Sequence, residues 1–214
     1  LMGICNLKLG NSSKAVNNFK KLFVSPSWKE KGMEGVALTY YNDFSFEKSF
    51  EQFDILSQAF SENSKYHYYK GVCLSYLDKY RLSELCLKKA ISLNDNDAMY
   101  HQSLGRALFL QGKLRESFHC YKEALKVAPN DLAIRSSFLF ILNFIPDIPS
   151  QTLLNYHFNW GKILSKNENS KYLHSNTPNP KKTIKVGYVS GDFRRHSVAY
   201  FFLPIVMHHN RDKV

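Results

Sequence analysis

The chain lacks any apolar run long enough to cross a bilayer. A spanning helix needs about 18 or more such residues, and the longest stretches here, Phe138–Ile145 and Tyr200–Met207, are far shorter. Cysteine is scarce. Its 4 copies among 214 residues include no C-x-x-C pair, which argues against a disulfide framework and against a zinc site, and for a reducing, cytoplasmic compartment. The opening residues do not read as a secretory leader, which says little where upstream sequence is expected. The chain starts Leu-Met-Gly-Ile-Cys in mid-helix fashion, without an initiator Met, so further sequence is expected upstream. Carboxylates are the minority charge, 18 against 29 Lys and Arg, for a net of +11. Core material is plentiful: 44% hydrophobic residues and 14% aromatics exclude intrinsic disorder as the main state.

The positive surplus is uneven. Residues 1–131 carry 18 basic and 14 acidic side chains, whereas residues 132–214 carry 11 and 4. A basic second part suits nucleic acid, an anionic membrane surface or a phosphate-bearing ligand. Nucleic-acid binding also calls for cations clustered on one face among stacking aromatics. The first part mixes both signs instead, so no nucleic-acid partner is expected.

A fixed period organises residues 1–131. Gly3, Ala37, Gly71 and Gly105 stand 34 residues apart, as do the small residues Ala15, Ser49, Ser83 and Ser117. Phe19, Phe53, Leu87 and Tyr121 form a large apolar column, and Leu22, Leu56, Ala90 and Ala124 another. A fifth column, Asn6, Tyr40, Leu74 and Leu108, is apolar in all but its first member. Such columns belong to a helical hairpin stacked on copies of itself, with small residues where helices approach closely and large ones filling the grooves. In the last copy the helical stretches are Met99–Leu110 and Leu114–Val127, separated by Gln111-Gly112-Lys113 and closed by Ala128-Pro129-Asn130-Asp131.

This pattern resembles the tetratricopeptide repeat, with Leu104-Gly105, Leu108, Tyr121, Ala124 and Pro129 at that family's signature positions. The resemblance implies a partial first repeat and then units 30–63, 64–97 and 98–131. Asp95 replaces the signature Pro in the second full unit, and Ala37 the Gly in the first. The repetition also accounts for residues that otherwise invite chemistry. Most Tyr and Phe lie at helical spacing and read as core. His67 and His101 share one repeat position and read as packing or groove residues; Cys86 and Cys120, also 34 apart, report the repeat and not a redox pair. Trp28 opens the first helix of unit 30–63. A curved repeat array binds extended peptide along its first helices, and helical geometry places Tyr41, Asn42, Tyr68, Gln102 and Arg106 there as candidate substrate-binding residues.

Residues 132–182 read as joining helices and linker. Leu132–Ile145 keeps the helical pattern until Pro146; Ser150-Gln151-Thr152 offers an N-cap for a helix through Leu164; Ser165–Lys182 is polar and Pro-bearing. Thr183–Ser190 is β-branched and aromatic and reads as a buried parallel strand. A loop through Phe193-Arg194-Arg195-His196 then leads to a helix capped by Ser197, with Pro204 inside it. Strand, loop and helix open a doubly wound, Rossmann-like α/β lobe, whose ligands sit at strand carboxyl ends. The fold class expected overall is mostly α: a tetratricopeptide-repeat α-solenoid followed by the start of an α/β lobe at 183–214.

The stretch V-G-Y-V-S-G-D-F-R-R-H-S-V-A-Y resembles the opening of the catalytic region of tetratricopeptide-containing O-linked N-acetylglucosamine transferases, especially the bacterial and SPINDLY-type branch. The segment Asn143–Leu164, with its aromatic-His and Trp-Gly pairs, is similar to that family's joining helix. The resemblance implies a catalytic role for His196, often assigned as proton acceptor, with Asp192, Gly187 and Ser190 as associated motif positions. An imidazole suits the task, since its ordinary pKa lies near 6.5. A positioning or donor-phosphate role is equally open for His196. The implied reaction moves a sugar from UDP-N-acetylglucosamine, or alternatively GDP-fucose, to a Ser or Thr hydroxyl. The donor would be a substrate; no cofactor and no metal are expected. Since the family's donor site lies mainly in a second lobe, the chain by itself is expected to be inactive. The alternative from another class is a repeat scaffold for protein–protein interaction. Arg194-Arg195 and His208-His209 read as solvated surface pairs.

Overall fold

The computed structural model describes Gly3, residues 10–146, 148–165 and 185–210. It divides into two compact units, Leu1–Asn167 and Glu168–Val214.

The first unit runs α1 (Ser12–Lys20), a 3-10 turn (Lys21–Val24), α2 (Pro26–Asn42), α3 (Phe46–Ala59), α4 (Ser64–Tyr76) and α5 (Tyr80–Leu93). It continues through α6 (Ala98–Leu110), α7 (Leu114–Val127), α8 (Leu132–Leu142) and α9 (Ser150–Ser165). From α2 to α9 each helix packs on its successor, and α4 also meets α6 directly. This is the contact pattern of stacked hairpins α2–α3, α4–α5 and α6–α7, with first helices lining one face.

The 34-residue columns sit where the hairpins close. Ala15, Ala37, Ser49, Phe53, Leu56, Ser83, Leu87, Ala90, Ser117 and Ala124 are all sealed from solvent. Burial of this kind contributes roughly 25 cal/mol per Å² of apolar surface. Gly105 is fixed by close approach: a Cβ there would stand 2.6 Å from Cε2 of Tyr121. The serine column adds polar stitching across each hairpin. Ser117 Oγ donates to the Gly105 carbonyl at 2.7 Å, and Ser49 Oγ to the Ala37 carbonyl at 3.0 Å. Ser83 breaks the pattern, its hydroxyl buried without a hydrogen-bond partner. Thr39, Cys73 and Ala107 form a further sealed column, obscured in the sequence because the three residue types differ.

The turn between paired helices repeats its backbone geometry. Gly10, Phe44, Asp78 and Gly112, again 34 apart, have φ of 73°, 57°, 58° and 76°. In the three full units the residue after each donates to the fifth residue before it: Ser45 to Tyr40, Lys79 to Leu74 and Lys113 to Leu108, each at 2.9 Å. Phe44, Asp78 and Gly112 themselves donate to Tyr41, Ser75 and Phe109. This is the Schellman closure of a helix C-terminus, which puts its C′ residue in the left-handed region. Glycine accepts that conformation freely; Phe44 does not. The opposite turns repeat as well. Asn63, Asp97 and Asp131 cap α4, α6 and α8 through the amides of Lys65, Met99 and Ile134. The His67 and His101 rings bond the carbonyls of Ser61 and Asp95, both at 2.8 Å. They tie each helix to its preceding turn. Burial pushes the Cys73 and Cys120 thiols up to about 11, so they behave as inert core residues.

In the second unit, α10 (Ser197–Met207) carries Pro204 inside it. Residues 185–190 have no regular secondary structure, and among the described residues no strand is present. The expected strand at 183–190 is therefore corrected for its described part. A strand is held by its ladder, and β-branched propensity alone does not form one; no described segment lies beside 185–190 as a partner. Thr183, Ile184 and most of the expected linker fall outside the described residues.

Candidate functional site

Two arrangements bear on function. The first is the shared face of α2, α4, α6 and α8. A chain of rings crosses from repeat to repeat: Tyr41 meets Tyr69 edge-on at 5.2 Å, Tyr68 meets Tyr69 at 5.1 Å, and Tyr68 stacks on Tyr100 at 4.8 Å. Nearer the ends of the first helices, Phe46 stacks on Tyr76 at 4.1 Å, and the Arg106 guanidinium lies 4.7 Å from the Tyr76 ring centre. Phe109, Phe140 and Phe144 make a further ring cluster with separations of 5.0–5.9 Å. Charges join the opposite end: Glu34 accepts from Lys65 and Lys31, and Glu30 from the Tyr66 hydroxyl. Burial opposes ionisation of Glu34, but the two ammonium groups outweigh it and hold its carboxyl below the ordinary range.

The expected binding residues divide on this face. Asn42 and Arg106 are exposed, and Tyr41 and Gln102 half-buried. Tyr68 lies in the core with Val72, Tyr100 and Leu104, and burial pushes its hydroxyl up to about 12. It supports the face from beneath. Sequence reasoning passed over Tyr76, Leu110, Phe140 and Phe144, all of them exposed. The period itself identifies them: Asn42, Tyr76, Leu110 and Phe144 are 34 apart, as are Arg106 and Phe140.

The second arrangement is the loop before α10. His196 is the N-cap of that helix, its Nδ1 accepting from the Val198 amide at 3.3 Å. Asp192 Oδ2 stands 3.8 Å from the same nitrogen, and the Arg194 guanidinium 3.9 Å from Asp192 Oδ1. Ser190 Oγ accepts from the Asp192 amide at 3.0 Å. Ser190, Asp192 and His196 are thus drawn together, whereas Gly187 has open space where a side chain would sit. The chemistry of the ring follows from its cap. A neutral imidazole that accepts at Nδ1 carries its proton on Nε2, so in this arrangement the free nitrogen donates. A carboxylate that oriented the ring for base catalysis would instead accept from Nδ1–H.

Residues 98–131 match the tetratricopeptide-repeat family model. The chain is 31% identical over 75 residues to an Arabidopsis thaliana protein named "Probable UDP-N-acetylglucosamine–peptide N-acetylglucosaminyltransferase SPINDLY". That match covers 35% of this chain and about 8% of the length of that curated relative. Among solved structures, the MamA RS-1 ArsTM double mutant superposes with a TM-score of 0.70 at 15% identity, over 78% of this chain and 93% of its own. The first TPR of Spaghetti (RPAP3) bound to the HSP90 peptide SRMEEVD superposes with a TM-score of 0.51 at 18% identity, over 54% and 94%. At these identities the structural likeness concerns the fold, a tetratricopeptide-type array of helical hairpins. Among the described residues no helix is long and apolar enough to cross a membrane.

Proposed function

We propose that the repeat unit binds an extended acceptor polypeptide along the face of α2, α4, α6 and α8, as part of a protein O-glycosyltransferase. The observation that carries the binding role is the periodic row Asn42, Tyr76, Leu110 and Phe144, with Arg106 over Tyr76. Four exposed positions at one-repeat intervals offer a polypeptide laid along the array one contact from each repeat. Arg106 suits an acidic side chain or a terminal carboxylate, and the Spaghetti neighbour, whose structure holds an acidic peptide, supports that reading. The transferase role draws on the SPINDLY match and on the loop that gathers Asp192 and His196. UDP-N-acetylglucosamine is the preferred donor and GDP-fucose the alternative; both are substrates. A non-enzymatic scaffold is the second reading, favoured by the match of residues 98–131 to the tetratricopeptide-repeat family model.

Binding is tested by probing the chain with a peptide array, beside Tyr76→Ala and Arg106→Ala. Each variant is expected to weaken the selected peptides about tenfold, the order of a lost interface anchor. An unchanged peptide profile in both variants sinks the binding face. Catalysis is tested in the complete reading frame with each donor. His196→Asn keeps a good N-cap and a donor but cannot act as a base. Loss of turnover in His196→Asn with melting unchanged supports the base role, which requires the ring to leave its cap. Full turnover assigns His196 to capping and positioning, and the absence of transfer from either donor in the wild type favours the scaffold.

A further inference from the structure

A cavity of about 230 Å³ opens between α7, α8 and α9, lined by Lys122, Leu125, Lys126, Arg135, Phe138, Leu139 and Tyr156. Three cations stand around it and no carboxylate lines it. Of the three, only Lys126 is committed to an acid, holding both Glu123 oxygens at 2.7 and 2.9 Å. Lys122 has a ring contact, its ammonium 5.5 Å from the centre of Phe118. Arg135 is fixed in place: its Nη2 donates to the Pro129 carbonyl, and its guanidinium packs 5.5 Å from the Trp160 ring centre. Its Nε is removed from water and has no partner. A buried guanidinium N–H left unpaired is costly.

The remaining wall is apolar. Leu139 and Phe138 belong to the core, Leu125 packs against it, and Tyr156 stands edge-on to Phe138 at 5.5 Å. A site with a cationic side and an aromatic floor selects an anion attached to an apolar body. A doubly charged phosphate monoester uses the two cations not committed to an acid, Lys122 and Arg135, better than a single carboxylate does. The volume falls below the roughly 300–1,000 Å³ of sites that take whole cofactors and is the size for one side chain. We propose that this cavity binds a phosphorylated aromatic side chain of a partner polypeptide, with Arg135 and Lys122 on the phosphate and Phe138 and Tyr156 on the ring. The site lies between the second helix of the last full repeat and the two helices after it. It is separate from the peptide face proposed above and does not depend on that reading.

Trp160, packed against Arg135, is a built-in reporter. In a Trp28→Phe background of the full chain it is the single tryptophan. Phenyl phosphate is expected to change its fluorescence saturably, with affinity falling as salt rises. Phenol is expected to do nothing, and inorganic phosphate to bind at least tenfold more weakly than phenyl phosphate. A phosphotyrosine peptide should compete with phenyl phosphate while its unphosphorylated form does not. Lys122→Gln, at an exposed position, should weaken phenyl phosphate about tenfold with melting unchanged, and Arg135→Gln more. If Arg135→Gln does not fold, the Lys122→Gln, Lys126→Gln double variant decides. The proposal is overturned if phenyl phosphate produces no saturable change, or if the lysine variants bind it as the wild type does. Equal affinity for inorganic phosphate also overturns it, since the ring would then play no part.

Discussion

The left-handed residue that closes each first helix is open to direct perturbation. Gly112, between α6 and α7, has φ of 76°, and a Cβ built there would meet nothing within 4 Å. Gly112→Ala therefore tests backbone conformation free of any clash. An L-residue in this region costs roughly 1–2 kcal/mol, while replacing Gly recovers about 0.4–1 kcal/mol from the unfolded chain. The expected loss is about 1 kcal/mol, or roughly 2–4 °C in melting temperature for a chain of this size. Stability in a stacked array is local. Hydrogen exchange should thus rise most at the Lys113 amide, which donates to Leu108. Phe44 at the equivalent turn supplies the opposite sign. It already bears the penalty, its ring is exposed, and its one ring partner among the described residues is Phe46 at 6.1 Å. Phe44→Gly is expected to raise the melting temperature or leave it unchanged. Thermal denaturation followed at 222 nm, with exchange resolved by residue, reads both variants. A Gly112→Ala protein that melts with the wild type and protects Lys113 equally would refute the shared Schellman geometry.

Two further perturbations separate positions that look alike in sequence. Ser117→Ala removes a buried hydrogen bond and should cost about 1 kcal/mol, whereas Ser83→Ala deletes an unsatisfied hydroxyl and should stabilise by about as much; urea midpoints of the two variants should move in opposite directions. Gly105→Ala forces a Cβ into the Tyr121 ring and should cost about 1–3 kcal/mol, with Tyr121→Leu in the same chain restoring part of the loss. Burial opposes ionisation of Glu84, but hydrogen bonds from Lys113, Lys88 and Gln111 outweigh it and bring its pKa down to about 2. Because the folded value lies below the unfolded one near 4.5, the stabilisation is complete above pH 4.5 and is lost as the pH falls toward 2. Glu84→Gln should flatten the stability profile across that window, and an unchanged slope would remove Glu84 from the acid response.

What the sequence made legible follows the range of the interactions involved. The hairpins could be read because their determinants recur: a small residue at 105 and a large one at 121 matter to each other, and the same exchange is written at 71 and 87. Periodicity thereby turns tertiary contacts into a one-dimensional signal. The helices α6 and α7 begin and end within a residue of the expected stretches for the same reason, since Asp97 and Gly112 punctuate them locally. The exposure of the first-helix face was legible in part. Arg106 and Asn42 are exposed, as helical geometry suggests, whereas Tyr68 is buried, because the pattern gives the direction of a side chain and not its depth. Tyr100 covers it, and that is a property of the neighbouring repeat. Phe44 is hidden in its turn because no glycine marks the left-handed position there, although the period marks it as plainly as it marks Gly112. Residues 185–190 show the other limit. Their β-branched composition states what the segment does when a partner strand is present, and a ladder is not encoded in one strand. Likewise the cap on His196 depends on where α10 starts, which the motif leaves open. The resemblance names the residue, whereas the hydrogen bond from the Val198 amide occupies Nδ1 and leaves Nε2 as the unengaged nitrogen in this arrangement.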